Sequence, residues 1–269
     1  MENDDRQMGR ILNRREALKL LGLAGAALLA SCAPGQTSTE QPTSAPTQTP
    51  TGGSTTAATN VPVQVTSAVN TGTLPACVVR PEMTEGPYYV DEDLNRSDIR
   101  SDPTTGEVKD GAPLTLTFLV SQVSNGSCAP LEGAKVEIWH CDAAGVYSDV
   151  SDPGFSTVGQ KFLRGYQVTD AEGRATFLTI YPGWYSGRTV HIHFKVHNDT
   201  SDQGYVFTSQ LFFDDVLSDQ VFTQEPYASK GERNTRNNND NIYSDQLLLA
   251  VNQANGGYAA TFDIGLQMA

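Results

Sequence analysis

The sequence predicts an all-β fold, an antiparallel β-sandwich with long loops between its strands. Three observations carry this: stretches that alternate apolar and polar residues with period two, turn-forming clusters between them, and a near-absence of helical periodicity. In chain order, PLTLTFLV (113–120) sets Leu114, Leu116, Phe118 and Val120 against Thr115 and Thr117. AKVEIWH (134–140) sets Val136, Ile138 and His140 against Glu137, Trp139 and the following Cys141. RATFLTIY (174–181), TVHIHFKV (189–196), YVFTSQLFF (205–213) and YAATFDIGL (258–266) read as further strands. The turn signals DPTTGE, SNGS, DAEG and PGWYSG fall between these runs. One short helix is expected around residues 214–221. Strands at this spacing favour a sandwich of two packed sheets.

The chain ahead of residue 76 has a different character. NRREALK (13–19) places paired arginines before the apolar run LLGLAGAALLA, too short for a permanent membrane span and of the form of a signal segment. Arg14-Arg15 predicts twin-arginine export, and Leu29-Ala30-Ser31-Cys32 resembles a lipobox that makes Cys32 a lipidated first residue. Residues 1–31 are thus expected to be a signal peptide. Residues 32–75, with Glu40 as their one charge and no aromatic residue, read as the lipidated cysteine and a disordered tether. Residues 76–269 form the folded domain, and the expected location is a cell-surface or periplasmic lipoprotein tethered to a bacterial membrane.

The formal net charge of −13 gives no electrostatic case for a nucleic-acid partner. Discounting residues 1–31 does not relieve it, because Arg6, Arg10, Arg14, Arg15 and Lys19 outweigh Glu2, Asp4, Asp5 and Glu16 there. Apart from Cys32, the cysteines are Cys77, Cys128 and Cys141. Cys128 and Cys141 flank one strand and should stand roughly 25 Å apart along extended chain, beyond disulfide reach. Cys77–Cys128 is the preferred pair, with Cys141 a buried free thiol.

The chemistry concentrates in VHIHFKV (190–196). Alternate strand residues share a face, so His191, His193 and Lys195 lie on one side and Val190, Ile192, Phe194 and Val196 on the other. The histidine side is either a polar outer surface or half of a metal site. No carboxylate stands near enough for an obvious facial triad, and no cysteine pair has zinc spacing. Tyrosine does stand close: Tyr185 lies six residues before His191, Arg188 three before it, and Tyr147 just past the end of AKVEIWH. Two phenolates and two neutral imidazoles make a plausible set for a hard trivalent cation.

VEIWHCDAAGVYS, PGWYSGRTVHIHF and TSQLFF, in that order and spacing, resemble the core of the intradiol ring-cleavage dioxygenases, which include catechol 1,2-dioxygenase and the β subunit of protocatechuate 3,4-dioxygenase. EGPYY (85–89) resembles that family's entry into the domain, and the likeness spans roughly residues 80–265. It implies a non-haem Fe(III) cofactor held by Tyr147, Tyr185, His191 and His193, with Tyr185 also a proton acceptor. Arg188 would stabilise charge on the substrate, and Gln210 would line the side where O2 reacts. The implied reaction cleaves a catechol-type aromatic diol between its two hydroxylated carbons with O2, giving a cis,cis-muconate-type diacid. In place of the helical dimerisation region of the catechol enzymes, residues 33–75 read as tether, which leaves ring substituents and oligomeric state open. The rival readings are a lipid-anchored, non-enzymatic binding module at the cell surface, and a cupin-like oxidase. The latter lacks a glutamate after His193, where the chain reads FKVHNDTSD.

Overall fold

A computed structural model describes residues 78–124, 127–200 and 204–267. The expected signal peptide, Cys32, the expected tether and Cys77 lie outside the described residues. Two sheets carry the domain. The first has the order β10–β11–β1–β2, with β7 also paired to β1. It comprises β1 (Pro113–Ser124), β2 (Ser127–Pro130), β7 (Arg174–Ile180), β10 (Val251–Ala254) and β11 (Gly257–Gln267). The second has the order β6–β3–β8–β9, from β3 (Lys135–Trp139), β6 (Arg164–Val168), β8 (His191–His197) and β9 (Val206–Phe212). A small hairpin, β4 (Ser151–Asp152) with β5 (Phe155–Ser156), stands apart from both. The single α-helix among the described residues, α1 (Asp215–Val221), starts where the Asp214 side chain accepts from Leu217 N–H.

The alternation in the strands becomes the sandwich core. Phe118 of β1 meets Phe177 and Phe262 within its own sheet, and its ring lies 5.2 Å from Phe194 of the opposite sheet. Val136, Ile138, Ile192, Phe194 and Val196 face Leu114, Leu116, Val120 and Ile264 in one buried cluster. Two features differ from the sequence expectation. β1 pairs in parallel with β11, which antiparallel hairpin logic does not anticipate; the connection between them spans the whole second sheet, long enough for a parallel return. The short strands β2, β4, β5, β6 and β10 carry too little alternation to register. Cys128 is disulfide-bonded, and Cys141 is a buried free thiol.

The other face of the second sheet is covered as well. Segment 81–90 lies over it: Met83 N–H donates to Thr208 O, Ser209 Oγ to Pro81 O and Gln210 Nε2 to Thr84 O. Beneath this cover Tyr89 packs on Trp139 and donates to Glu137 Oε2 at 3.2 Å. Lys195 Nζ pairs with Glu85 and lies 3.5 Å from the Tyr89 ring centroid. Burial raises Glu137 to about 7. A carboxyl with a raised folded-state pKa is best accommodated when protonated, so its contribution to stability is present below about 4.5 and is lost as pH rises through 7. His140 runs the other way. It is fully buried between Cys141 O and Thr179 Oγ1, and burial lowers it to about 4. Its contribution is present above about 6.5 and is lost as pH falls towards 4. The two oppose between these limits. Glu137→Gln should therefore raise stability at pH 8 by about 1–3 kcal/mol and steepen the loss on acidification. Urea unfolding at pH 8 and pH 5 measures both; a variant no more stable at pH 8 would contradict this account.

Candidate metal centre

β8 delivers His191 and His193 to this covered face, each almost wholly buried. Trp139 of β3 pairs in register with His193, and their rings stack at 5.0 Å and 9°. His191 Nδ1 lies 2.6 Å from Thr189 O. A carbonyl only accepts, so Nδ1 carries the proton and the lone pair of Nε2 points into the site. Around that nitrogen stand His193 Nε2 at 3.1 Å, Tyr147 Oη at 3.3 Å and Tyr185 Oη at 3.4 Å. The four residues singled out in the sequence thus converge, two from one strand and two from loops beyond strand ends.

The loops are fixed by backbone contacts. In CDAAGVY, Asp142 Oδ1 accepts from Ala144 and Val146 N–H, closing the turn that leads to Tyr147. Thr157 Oγ1 donates to Tyr147 O at 2.6 Å. Buried Arg164 donates to the main-chain oxygens of Ser148 and Tyr88. The PGWY loop seats directly on CDAAGVY: Gly183 N–H donates to Asp142 O, and a Cβ on Gly183 would collide with the Asp142 and Ala143 carbonyls. A Cβ on Gly145, at φ +79°, would likewise collide with the Trp184 carbonyl. Lys230 bridges both loops, donating to Ala144 O and lying 4.8 Å from the Trp184 ring centroid. Tyr147 and Tyr185 therefore sit on interlocked supports. Gly183→Ala should disturb both at once, lowering stability by about 1–3 kcal/mol and weakening any metal held between them. Thermal unfolding and bound-metal content, measured on the same sample, would show a joint loss; unchanged metal content would contradict the interlock.

Arg188 and Gln210 adjoin the cluster. Gln210 lies opposite His193 in the β8–β9 register, and its Oε1 accepts from Arg188 Nη2 at 2.6 Å. Arg188 Nε donates to Asp240 Oδ2 at 2.9 Å, and the same oxygen accepts from Thr189 N–H at 2.9 Å. Tyr88 stacks on Tyr147 at 4.6 Å and meets Tyr185 edge-on at 5.8 Å. Sequence reasoning misses Asp240 and Arg164, and for Tyr88 it favours core packing over the pocket-lining place that the structure gives it. EGPYY offered a faint sign of Tyr88. Asp240 offered none, lying in an asparagine-rich stretch 52 residues from its partner.

The electrostatics suit a cation. Burial and then the Arg188 charge lower His191 to about 3, and burial with the adjoining His191 takes His193 well below its usual range. Burial raises Tyr185 to about 12 and Tyr147 far above its usual range. Neutral imidazoles offer lone pairs, and two phenols offer oxygens that ionise only beside a strong positive charge. Among the described residues no group of three or more His, Cys, Asp or Glu is arranged to hold a metal. A cation bound here must therefore draw on tyrosine oxygen.

Residues 84–267 match the sequence profile of a family described as dioxygenase. The chain is 31% identical to an intradiol ring-cleavage dioxygenase of Tetranychus urticae, superposing with a TM-score of 0.60 over 71% of this chain and 94% of that one. The chain belongs to the intradiol ring-cleavage dioxygenase family. Within it, the protocatechuate 3,4-dioxygenase beta chain of Burkholderia cepacia is 35% identical over 156 residues, covering 54% of this chain and 65% of that one. The dioxygenase domain of a dioxygenase–carbohydrate-binding fusion from Streptomyces sp. SirexAA-E is 31% identical, with a TM-score of 0.51 over 71% of this chain and 100% of that one. This intradiol family member spans less than two thirds of the length of the curated relatives it matches.

Proposed function

We propose that this chain is a non-haem Fe(III) dioxygenase that opens a catechol-type diol between its hydroxylated carbons with O2, yielding a cis,cis-muconate-type diacid. The observation that carries the reading is the convergence of Tyr147, Tyr185, His191 and His193 around one buried point, with the His191 lone pair aimed into it. A ferric ion held by these four would act as template and Lewis acid for the two diol oxygens.

The chain's own residues do the rest. Tyr147 is buried, whereas Tyr185 is only partly so; Tyr185 Oη is therefore the better placed to meet an incoming hydroxyl and take its proton. Arg188, held from both sides by Asp240 and Gln210, presents a fixed positive charge beside the Tyr185 hydroxyl, where negative charge on the diol would develop. Tyr88 and Trp139 wall the site with aromatic surface and limit water. Family membership tells against a non-enzymatic binding module. Export, lipid attachment at Cys32 and a cell-surface or periplasmic location belong to the same proposal.

The test is the visible spectrum of the iron-loaded protein before and after catechol is added without oxygen. A tyrosinate charge-transfer band that shifts with catechol, followed by ring opening when air is admitted, supports the reading. A protein that stays colourless after ferric reconstitution overturns it.

A further inference from the structure

An aromatic diol that enters by its two oxygens carries its other ring substituents at the far end, so the outer wall of the site selects among them. From Tyr147 that wall runs across the partly buried Tyr88 to Asp152, whose Oδ2 accepts from the Tyr88 hydroxyl at 2.8 Å. Asp152 belongs to the β4–β5 hairpin, and Phe155 of the same hairpin lies 6.5 Å from the Tyr88 ring. The Gly154 N–H and the Tyr88 hydroxyl hold the Asp152 carboxyl below the usual range, so it is ionised at neutral pH.

Among the described residues no Lys or Arg is paired with it. Arg188 lies at the oxygen-binding end and is committed to Asp240 and Gln210. Arg164 is buried behind Tyr147, donating to the main chain of Ser148 and Tyr88. Lys195 is paired with Glu85 and stacked on Tyr89. Lys230 is engaged by Ala144 O and Trp184. The groups that act on the Asp152 carboxyl are the Gly154 N–H and the Tyr88 hydroxyl, with no Lys or Arg among them.

We infer that the substrate is a diol whose ring bears no negatively charged substituent, with Asp152 the residue that disfavours a carboxylated one. The inference rests on the diol reading above. The chain's net charge of −13 acts in the same direction over longer range.

The probes are 3,4-dihydroxybenzamide and 3,4-dihydroxybenzoate, nearly equal in shape and different in charge. Their dissociation constants are measured by anaerobic spectral titration of the full-length, iron-loaded protein at neutral pH. The benzamide should bind at least about tenfold more tightly, as expected for two like charges a few ångströms apart at a partly solvated site. The ratio should shrink in high salt. Asp152→Asn keeps an acceptor for Tyr88 but removes the charge, and should bring the ratio towards unity. Equal affinity for the two probes in the unsubstituted protein overturns the inference and leaves the diol reading standing. A ratio unchanged by Asp152→Asn overturns the role of Asp152. Binding of neither probe, nor of catechol, overturns both readings.

Discussion

Tyr147→Phe should give a folded protein that retains little iron and no measurable ring cleavage. The substitution deletes one oxygen. The ring remains, with its stack on Tyr88 and its edge contact to Tyr185, while the hydrogen bonds of the hydroxyl to His191 Nε2, at 3.3 Å, and to the Tyr185 hydroxyl are lost. Stability without metal should therefore change by no more than about 1 kcal/mol. Metal retention is another matter. Loss of an outer partner behind a ligand typically weakens metal affinity about 10–100-fold, and loss of a direct ligand should exceed that. Iron content after dialysis against a chelator, read beside thermal unfolding of the metal-free protein, separates the two roles. Normal iron retention would make Tyr147 a wall residue. A large fall in metal-free stability would make it a packing residue.

Much of this site could be read before any coordinates, because its signals are local. Two-residue spacing in VHIHFKV fixes which side chains share a face. Phe194 packing on Phe118 and the paired Nε2 atoms of His191 and His193 are that rule realised. Tyr147 and Tyr185 were legible because each lies a few residues past a strand end, where the chain has little room to wander. Partners distant in sequence were not legible. β3 shows Trp139 and Glu137 on one face, but only the register with β8 sets Trp139 against His193 and Glu137 against Lys195. Nothing local says that segment 81–90 folds over this face, so the pattern alone leaves the histidine side open between an outer surface and half of a metal site and does not foretell its burial. The β10–β11 hairpin shows a local signal passed over. Asn255-Gly256 has positive φ at both residues, 49° and 77°, the tight turn that Asn-Gly favours. The polar β10 ahead of it hid the strand.

Asp240 is the hidden residue with the largest expected effect. Its Oδ2 accepts from Arg188 Nε and Thr189 N–H, and its Oδ1 accepts from Ile242 N–H at 2.8 Å. Burial would raise its pKa, but the Ile242 and Thr189 amides and the Arg188 side chain outweigh burial and hold it below the usual range. One carboxylate thus fixes the guanidinium at the substrate end and, by holding the Thr189 backbone through its N–H, steadies the carbonyl of the same residue that sets the His191 tautomer. Asp240→Ala leaves Arg188 without its ionic partner and frees that peptide. It should lower stability by about 3 kcal/mol, reduce kcat by about 100-fold and weaken iron binding by about tenfold. Asp240→Asn keeps one of the two oxygens that serve these three donors and removes the charge, so it should recover most of the stability and iron while kcat stays low. That split is what a merely structural role would not produce, since stability and turnover would then recover together. The measurements are kcat on catechol, iron content and thermal unfolding for both variants. Wild-type turnover in Asp240→Asn would mean that Gln210 alone suffices to hold Arg188 in place.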